Sequence, residues 1–235
     1  MTGGLSGRSY SAQLKGCTIC SVKRRAKYII IGLNGKRGRR DLLCHLRMSG
    51  RLEVHLATVP RSPYDRIVLS LSGGSEIRFK DVRKFGRMEL VDSAVPLLAH
   101  LGPEPAELTL DYLGKAILNK KTRLKPLLLN QSFVAGLGNI YVDECLWRAS
   151  IHPERIAATL NPKELKKLHS AIRKIIAEAI EKQGTDFGDG VVPGGAYSPK
   201  VYGRTGLKCK RCREIIVRTV VGQRGTHVCP TCQLK

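Results

Sequence analysis

Between Gly16 and about Val91 the apolar positions come in short bursts, at Val22 and at residues 28–33, 42–46, 52–54, 67–71 and 77–79. Turn-forming pairs punctuate them: Asn34-Gly35, Ser49-Gly50 and Ser72-Gly73-Gly74. Short alternating runs at close spacing predict an antiparallel β-sandwich. Past Leu101-Gly102-Pro103-Glu104-Pro105 the spacing of apolar residues lengthens to a helical period, with helices predicted over 108–119, 125–130, 140–149 and 162–182. In the last of these Leu165, Leu168, Ile172, Ile175, Ile176 and Ala179 share one face, Asn161-Pro162 is a start signal and Gly184 a stop. Residues 184–199 hold five Gly and two Pro and read as a loop, and residues 1–10 carry no periodicity and read as irregular. The fold class is α+β, divided as 1–98 (the sandwich), 99–199 (helical) and 200–235 (a Cys-bearing module).

Charge narrows the picture. Lys and Arg number 41 against 19 Asp and Glu, a formal charge of +22 on 235 residues. With 42% hydrophobic residues the chain can bury a core, so disorder does not explain the charge. A polyanion relieves such self-repulsion, and nucleic acid is the first candidate. An anionic membrane surface and a merely solvated basic face are the alternatives. No run of about 18 apolar residues is present to span a bilayer, and the start lacks the apolar stretch of a signal peptide. The expectation from these features is a cytoplasmic protein with no membrane partner.

Eight cysteines are present, and four lie in the last 27 residues. Cys209-Lys-Arg-Cys212 and Cys229-Pro-Thr-Cys232 are two matched knuckles joined by a β-rich spacer, a spacing that supplies four thiolates to one structural Zn²⁺. Four protein ligands close the site, so the metal would fold the module and activate no water. The spacer predicts a hairpin with its tip at residues 222–225. Cys17-Thr-Ile-Cys20 lacks a second knuckle and reads as one core and one surface cysteine on a strand.

Six segments in register carry a resemblance. The four-cysteine module with Val201-Tyr-Gly-Arg204 and Gln223-Arg224-Gly225-Thr226, the run Gly136-Leu-Gly-Asn139-Ile-Tyr141-Val-Asp-Glu144, and Lys23-Arg-Arg-Ala-Lys27-Tyr28 are three of them. His45-Leu-Arg-Met48-Ser-Gly50, Asp81-Val-Arg83-Lys-Phe85-Gly86 and the Leu101–Pro105 linker complete the set. From about residue 14 to the end the chain resembles the formamidopyrimidine-DNA glycosylase/endonuclease VIII family, and Arg83-x-Phe85 is more similar to the formamidopyrimidine branch.

The resemblance implies base-excision repair of oxidised purines in double-stranded DNA, with abasic sites also recognised, by a bacterial-type, nucleoid-associated monomer. An enzyme that flips a base out of the stack must fill the void, and Met48, Arg83 and Phe85 are assigned that task. Ordinary strand-end packing is the alternative for Met48 and Phe85. Tyr64, Arg83, Lys121 and Asn139 are assigned to DNA binding. Tyr64 falls where the family commonly carries histidine, and it can donate one hydrogen bond but no charge. Lys121 belongs to the basic run of residues 120–125, whose other reading is a solvated face. Asn139 opens a helix, where free N–H groups favour phosphate, and a plain N-cap explains it equally. Lys27, read as a strand lysine, and Arg224, at the finger tip, are assigned to elimination, with a phosphate-binding or solvated lysine and a surface arginine as the alternatives.

One family element is not found. The family's chemistry begins at an amino-terminal proline followed by glutamate, because an α-amine of pKa about 8 is partly neutral at pH 7 and can attack a sugar carbon. This chain opens Met1-Thr2-Gly3-Gly4, so the resemblance implies a truncated copy of doubtful activity, whose sandwich over 1–98 is incomplete and which also lacks the helix that follows that proline. Two other readings stand beside it: a non-catalytic, zinc-dependent binder of damaged or abasic DNA, and a general zinc-ribbon module for nucleic acid such as RNA.

Overall fold

The computed structural model describes residues 7–185 and 195–235. The Met1–Gly4 start and most of the glycine-rich loop lie outside the described residues. The chain divides into two compact units, Met1–Ala99 and His100–Lys235.

The first unit opens with helix α1 (Gly7–Leu14), where the sequence predicted irregular chain. Its four residues before Ser11 lie within the stretch that reads as irregular, and residues 11–14 carry no predicted element. Seven strands follow: β1 (Thr18–Arg25), β2 (Tyr28–Gly35), β3 (Gly38–His45), β4 (Gly50–Leu56), β5 (Asp65–Ser70), β6 (Ser75–Asp81) and β7 (Arg87–Val91). They form two antiparallel sheets, ordered β1-β2-β3-β7 and β4-β6-β5. Ile31, Leu33, Leu42, Cys44 and Leu90 of the first sheet are buried, and Leu52 and Leu69 of the second pack against them. That is the sandwich core. β7 was not predicted: Arg-Met-Glu-Leu-Val alternates, but the run is only five residues long. β1 is an edge strand whose Val22 is 67% exposed, with Lys23, Arg24 and Arg25 beside it. Charged residues on an edge discourage further strand pairing. Cys17 packs against the core and Cys20 is exposed. After β7 a short helix α2 (Ala94–Leu98), capped by Ser93, packs on β3.

The second unit contains α3 (Leu110–Ile117), α4 (Leu124–Leu129), α5 (Asn139–Ala149) and α6 (Pro162–Glu181). Each begins and ends within two residues of its predicted span. Thr109 caps α3, and Asn161 with Glu164 closes a capping box on α6, with Pro162 in the first turn. Leu113, Leu124, Leu128, Leu137, Leu146, Leu168 and Ile172 form the centre of one core. Residues 131–138 make two successive turns between α4 and α5, a helix–two-turns–helix. Gly184, at φ +93°, ends the chain segment after α6.

The carboxy-terminal module belongs to this second unit. Its hairpin pairs β8 (Val217–Val221) with β9 (Arg224–Val228). Gly222 and Gln223 both have positive φ, +57° and +62°, the two-residue turn whose twist matches paired strands. The turn is therefore tighter than the 222–225 tip read from the sequence, and Arg224 is the first residue of β9. A Cβ on Gly222 would lie 2.6 Å from Pro126 Cγ, so glycine is required there for packing as well as for φ.

Candidate DNA interface and metal centre

In the first unit, three of the predicted DNA-facing segments converge on a motif residue to which the sequence reading gave no role. Asp81, at the end of β6, is buried. Its Oδ1 accepts from the Ser49 hydroxyl and from the Arg83 N–H at 3.2 Å, and its Oδ2 accepts from the Gly86 N–H at 2.7 Å. Its backbone N–H donates to the Tyr64 carbonyl, and its carbonyl accepts from Arg66 Nε, both at 2.9 Å. Burial works against the carboxylate, but the donors from Ser49, Gly86 and Arg83 hold its pKa below the ordinary value. The loops carrying Met48 and Arg83-Phe85 are thus fixed to the Asp81 carboxylate, and the Tyr64 loop to its backbone N–H.

The loop tips project outward. Met48 is 60% and Phe85 52% exposed, against the strand-end packing that was their alternative reading. Each follows a residue in left-handed backbone, Arg47 at φ +58° and Lys84 at φ +59°. Left-handed backbone in a non-glycine residue is costly and is often found at functional sites. The Arg83 guanidinium lies 5.1 Å from the centre of the Phe85 ring. A Cβ on Gly86 would run into the Phe79 ring, which explains the glycine after Phe85. Tyr64 is exposed, and Arg66 stands 5.7 Å from its ring, so the positive charge that tyrosine lacks is supplied next door.

Lys27 is exposed and sits on the two-residue turn between β1 and β2, not on the strand that the sequence predicted; Ala26 before it has φ +51°. Near it, His45 packs edge-on against Tyr28 at 4.7 Å. Burial, then Arg47 and Lys27, with a smaller push from Arg87, lower the His45 pKa to about 4. Burial is the main cause, and the three cations that add to it mark a positive patch.

In the second unit, the basic run splits. Lys121 is exposed, as the binding assignment requires. Lys125 is fully buried and bonds Asp143 Oδ1 at 2.6 Å and the Gly225 carbonyl at 2.9 Å, so it is no part of a solvated face. Its place before Pro126-Leu-Leu-Leu was the signal that it points inward. Burial pushes its ammonium below the ordinary range, with Asp143 opposing. Asn139 is not the N-cap of α5; Gly138 is, with no side-chain cap. The Asn139 amide nitrogen donates to the Gly225 carbonyl at 3.1 Å. The side chain holds the finger, and the uncapped N–H groups of α5 are what remain for an anion.

Two further acids tie the finger down. Asp143 Oδ2 accepts from the His227 N–H at 2.9 Å. Glu144, fully buried, accepts from the Tyr197 hydroxyl and from the N–H groups of Lys200, Val201 and Tyr202 at 2.8–3.1 Å. Exposed Arg224 therefore stands beside a carbonyl clamped by Lys125 and Asn139.

Cys209, Cys212, Cys229 and Cys232 place their sulfurs within 4.8 Å of one another, with Cys212–Cys229 at 3.4 Å and Cys209–Cys232 at 4.0 Å. Four thiolates at the usual Zn–S length stand about 3.8 Å apart, so the set fits zinc. The Arg211 N–H and Trp147 Nε1 each donate to Cys209 Sγ at 3.4 Å, and the Cys232 N–H to Cys229 Sγ at 3.4 Å. Burial pushes the Cys209 thiol up, but the backbone donors and Trp147 outweigh it and bring it to about 6. Donors aimed at sulfur are what a metal-bound thiolate needs. The four cysteines would hold one structural zinc.

An antiparallel sandwich, a helix–two-turns–helix and a four-cysteine hairpin with exposed arginine define a zinc-finger protein built to hold nucleic acid. Residues 3–88 match the formamidopyrimidine-DNA glycosylase N-terminal domain, residues 101–189 the formamidopyrimidine-DNA glycosylase H2TH domain, and residues 206–234 a zinc finger found in FPG and IleRS. A formamidopyrimidine-DNA glycosylase of Protochlamydia amoebophila is 41% identical over 96% of this chain and 85% of the relative. That of Herpetosiphon aurantiacus is 44% identical over 92% and 81%. Among solved structures, a Lactococcus lactis Fpg in complex with DNA containing an abasic site superposes at TM-score 0.88 with 35% identity, covering 97% of this chain and 86% of the other. The chain belongs to the formamidopyrimidine-DNA glycosylase family. The match starts at residue 3, earlier than the residue 14 from which the motifs were read.

Proposed function

We propose that this chain recognises oxidised purines and abasic sites in duplex DNA and that its family chemistry is that of a DNA glycosylase with AP lyase activity. The observation that carries the reading is the convergence of the Met48, Tyr64 and Arg83-Phe85 loops on buried Asp81. Extruding a base costs a few kcal/mol, and side chains already held outside the fold fill the void without first being ordered. Met48 and Phe85 offer apolar and aromatic surface for the opened stack, and the Arg83 guanidinium offers donors to the orphan base. Related solved structures hold DNA with N7-benzyl-Fapy-dG and with carbocyclic 8-oxo-G, which supports the oxidised-purine class.

Phosphates would be met by Arg83 and Tyr64 from the first unit, and by Lys121 and the uncapped α5 N-terminus from the second. Lys27 and Arg224 are the exposed cationic side chains assigned to the elimination steps, Arg224 held by the clamp on Gly225. We place the work in one chain acting as a monomer in the bacterial cytoplasm at the nucleoid, with working divisions at 1–98, 99–199 and 200–235. No helix among the described residues is long and apolar enough to cross a membrane.

The test is a duplex series with an abasic analogue, 8-oxoguanine or formamidopyrimidine at one position. Preferential binding of the abasic duplex over the undamaged one is expected, with affinity falling on the order of 10³-fold between 50 and 200 mM salt if about six phosphates are engaged. Equal affinity for damaged and intact duplex overturns the reading. Base release and strand nicking test the catalytic half, and lesion-selective binding without turnover selects the zinc-dependent binder instead.

A further inference from the structure

A second cationic surface lies in the helical unit, far from the end of α5 that carries Asn139. The carboxy-terminal end of α5 and the amino-terminal half of α6 enclose an open cleft of about 410 Å³. Arg148, Lys163, Lys166, Lys167 and Lys174 line it, and no acidic residue does. The four lysines are exposed, and none forms an ion pair among the described residues. Lys163, Lys166, Lys167 and Lys174 fall at spacings of three, four and seven residues, which put them on one face of α6.

Neither helix electrostatics nor neutralisation accounts for this arrangement. Three of the lysines sit in the first two turns of α6, where the positive end of the helix dipole disfavours cations. Like charges at such spacings also destabilise a helix. Glu164 is held in its capping box and by Arg155, and Glu178 pairs with Arg148 of the cleft and with Lys182, so neither pairs with the four lysines. Arg211 donates to the Ser150 hydroxyl and to the Arg148 carbonyl, which covers the negative end of α5 at the cleft. What would relieve the lysines is an external polyanion.

The array selects among polyanions by length. Lys163 to Lys174 spans about 16 Å of helix, and a DNA strand presents a phosphate every ~3.4 Å along its axis. A linear backbone engages the whole array, whereas a small phosphate ester meets only part of it. The cleft stands at the opposite end of α5 from the uncapped N-terminus, about 16 Å along the helix. We propose that the α5–α6 cleft is a second DNA-backbone site that takes a separate duplex while the lesion-bearing duplex is held elsewhere. The inference rests on the lesion-binding reading for its first duplex only. It gives the protein a way to pass between DNA segments without full release.

The experiment uses the full zinc-loaded chain, a short donor-labelled duplex with an abasic analogue and an acceptor-labelled undamaged duplex. Energy transfer between the two duplexes, added at equal concentration, reports bridging. The wild-type chain is expected to bridge them, with the second duplex lost on the order of 10²-fold between 50 and 200 mM salt if about four phosphates are engaged. The triple variant Lys163→Glu, Lys166→Glu, Lys167→Glu should bind the abasic duplex with unchanged affinity and lose bridging at least tenfold. The milder Lys163→Gln, Lys166→Gln, Lys167→Gln set guards against misfolding and should lose part of it. Absence of bridging by the wild type, or equal bridging by both variants, overturns the proposal. Competition by inorganic tripolyphosphate as effective as duplex at equal charge overturns the duplex assignment in favour of a small-polyanion site. Loss of lesion preference with bridging retained would instead count against the proposed function alone.

Discussion

The Ser49 hydroxyl donates to Asp81 Oδ1 across 32 positions of sequence, joining the turn behind Met48 to the strand end that leads to Arg83. The same oxygen takes the Arg83 N–H, and that N–H also reaches Ser49 Oγ at 3.2 Å. The loops carrying Met48 and Arg83 therefore share one triangle, in which the Ser49 hydroxyl and the Arg83 N–H donate and the Asp81 carboxylate accepts. Asp81→Ala leaves three donors facing a cavity, and it should lower stability by at least roughly 2 kcal/mol. Ser49→Ala removes one donor and should cost about 1 kcal/mol. Urea midpoints check the stabilities. A fluorescent base placed opposite an abasic analogue checks the role: both variants should reduce the change in its emission on binding, with Asp81→Ala the larger. Wild-type emission in Asp81→Ala, with stability lowered, would separate Asp81 from loop positioning.

Lys125 and Asp143 form a buried pair whose loss is asymmetric. Lys125→Met keeps the volume but strands the Asp143 carboxylate in the interior, a change of about 3–5 kcal/mol. Adding Asp143→Asn to it removes the uncompensated charge and should recover a large part of that loss. The second-site rescue, read from thermal or urea unfolding of the two single variants and the double, is the expected signature of a desolvated pair. Because Lys125 also bonds the Gly225 carbonyl, the double variant should still bind abasic duplex more weakly than wild type. Full recovery of binding would mean that the clamp on Gly225 does not position Arg224.

The sandwich strands and the long helices were legible because their apolar residues repeat at the periods of 2 and 3.6, and α6 announced both its cap and its stop. The metal site was legible because four ligands lie in two local knuckles. What escaped was long-range. Asp81 is a strand-end acid in sequence, and only register brings Ser49, Tyr64 and Gly86 to it. Lys125 read as one more cation in a basic run, since its partners Asp143 and Gly225 lie 18 and 100 positions away. Asn139 read as a cap or a phosphate ligand because both need the same residue at a helix start, while its actual bond to Gly225 depends on how the finger docks. Helix α1 escaped because it is only eight residues long and opens inside the glycine-containing stretch that read as irregular.

His45 supplies a pH test of the positive patch. Its pKa falls from about 6.5 unfolded to about 4 folded, because burial and then the charges of Arg47, Lys27 and Arg87 oppose protonation. Between those values the unfolded chain binds more protons. This group's contribution to stability is complete above about pH 6.5 and is lost as pH falls toward 4. DNA phosphates near those three cations would offset their repulsion and raise the His45 pKa, so binding should take up protons in this window. A nuclear magnetic resonance titration of the His45 ring with and without abasic duplex measures it. An unchanged midpoint in the complex would place the backbone away from Lys27 and Arg47.

Zinc removal should act on the finger and spare the helices. Trp147, Val201, Cys209, Ile216 and Cys229 form a cluster apart from the main helical core, and the sulfur tetrad is its anchor. Thiolate coordination in small modules contributes roughly 10–16 kcal/mol, more than an isolated two-stranded hairpin can supply from its own strands. Chelation is therefore expected to melt β8 and β9, release the Gly225 carbonyl from Lys125 and Asn139, and leave Arg224 unplaced. Trp147 is the only tryptophan, donates to Cys209 Sγ and lies 4.4 Å beneath the Arg211 guanidinium, so its emission reports the event directly. Helical circular dichroism should persist while Trp147 emission shifts and abasic-duplex affinity falls at least tenfold, both returning when zinc is restored. Unchanged emission and affinity after verified metal loss would show that the hairpin stands, and holds its arginine, without the ion.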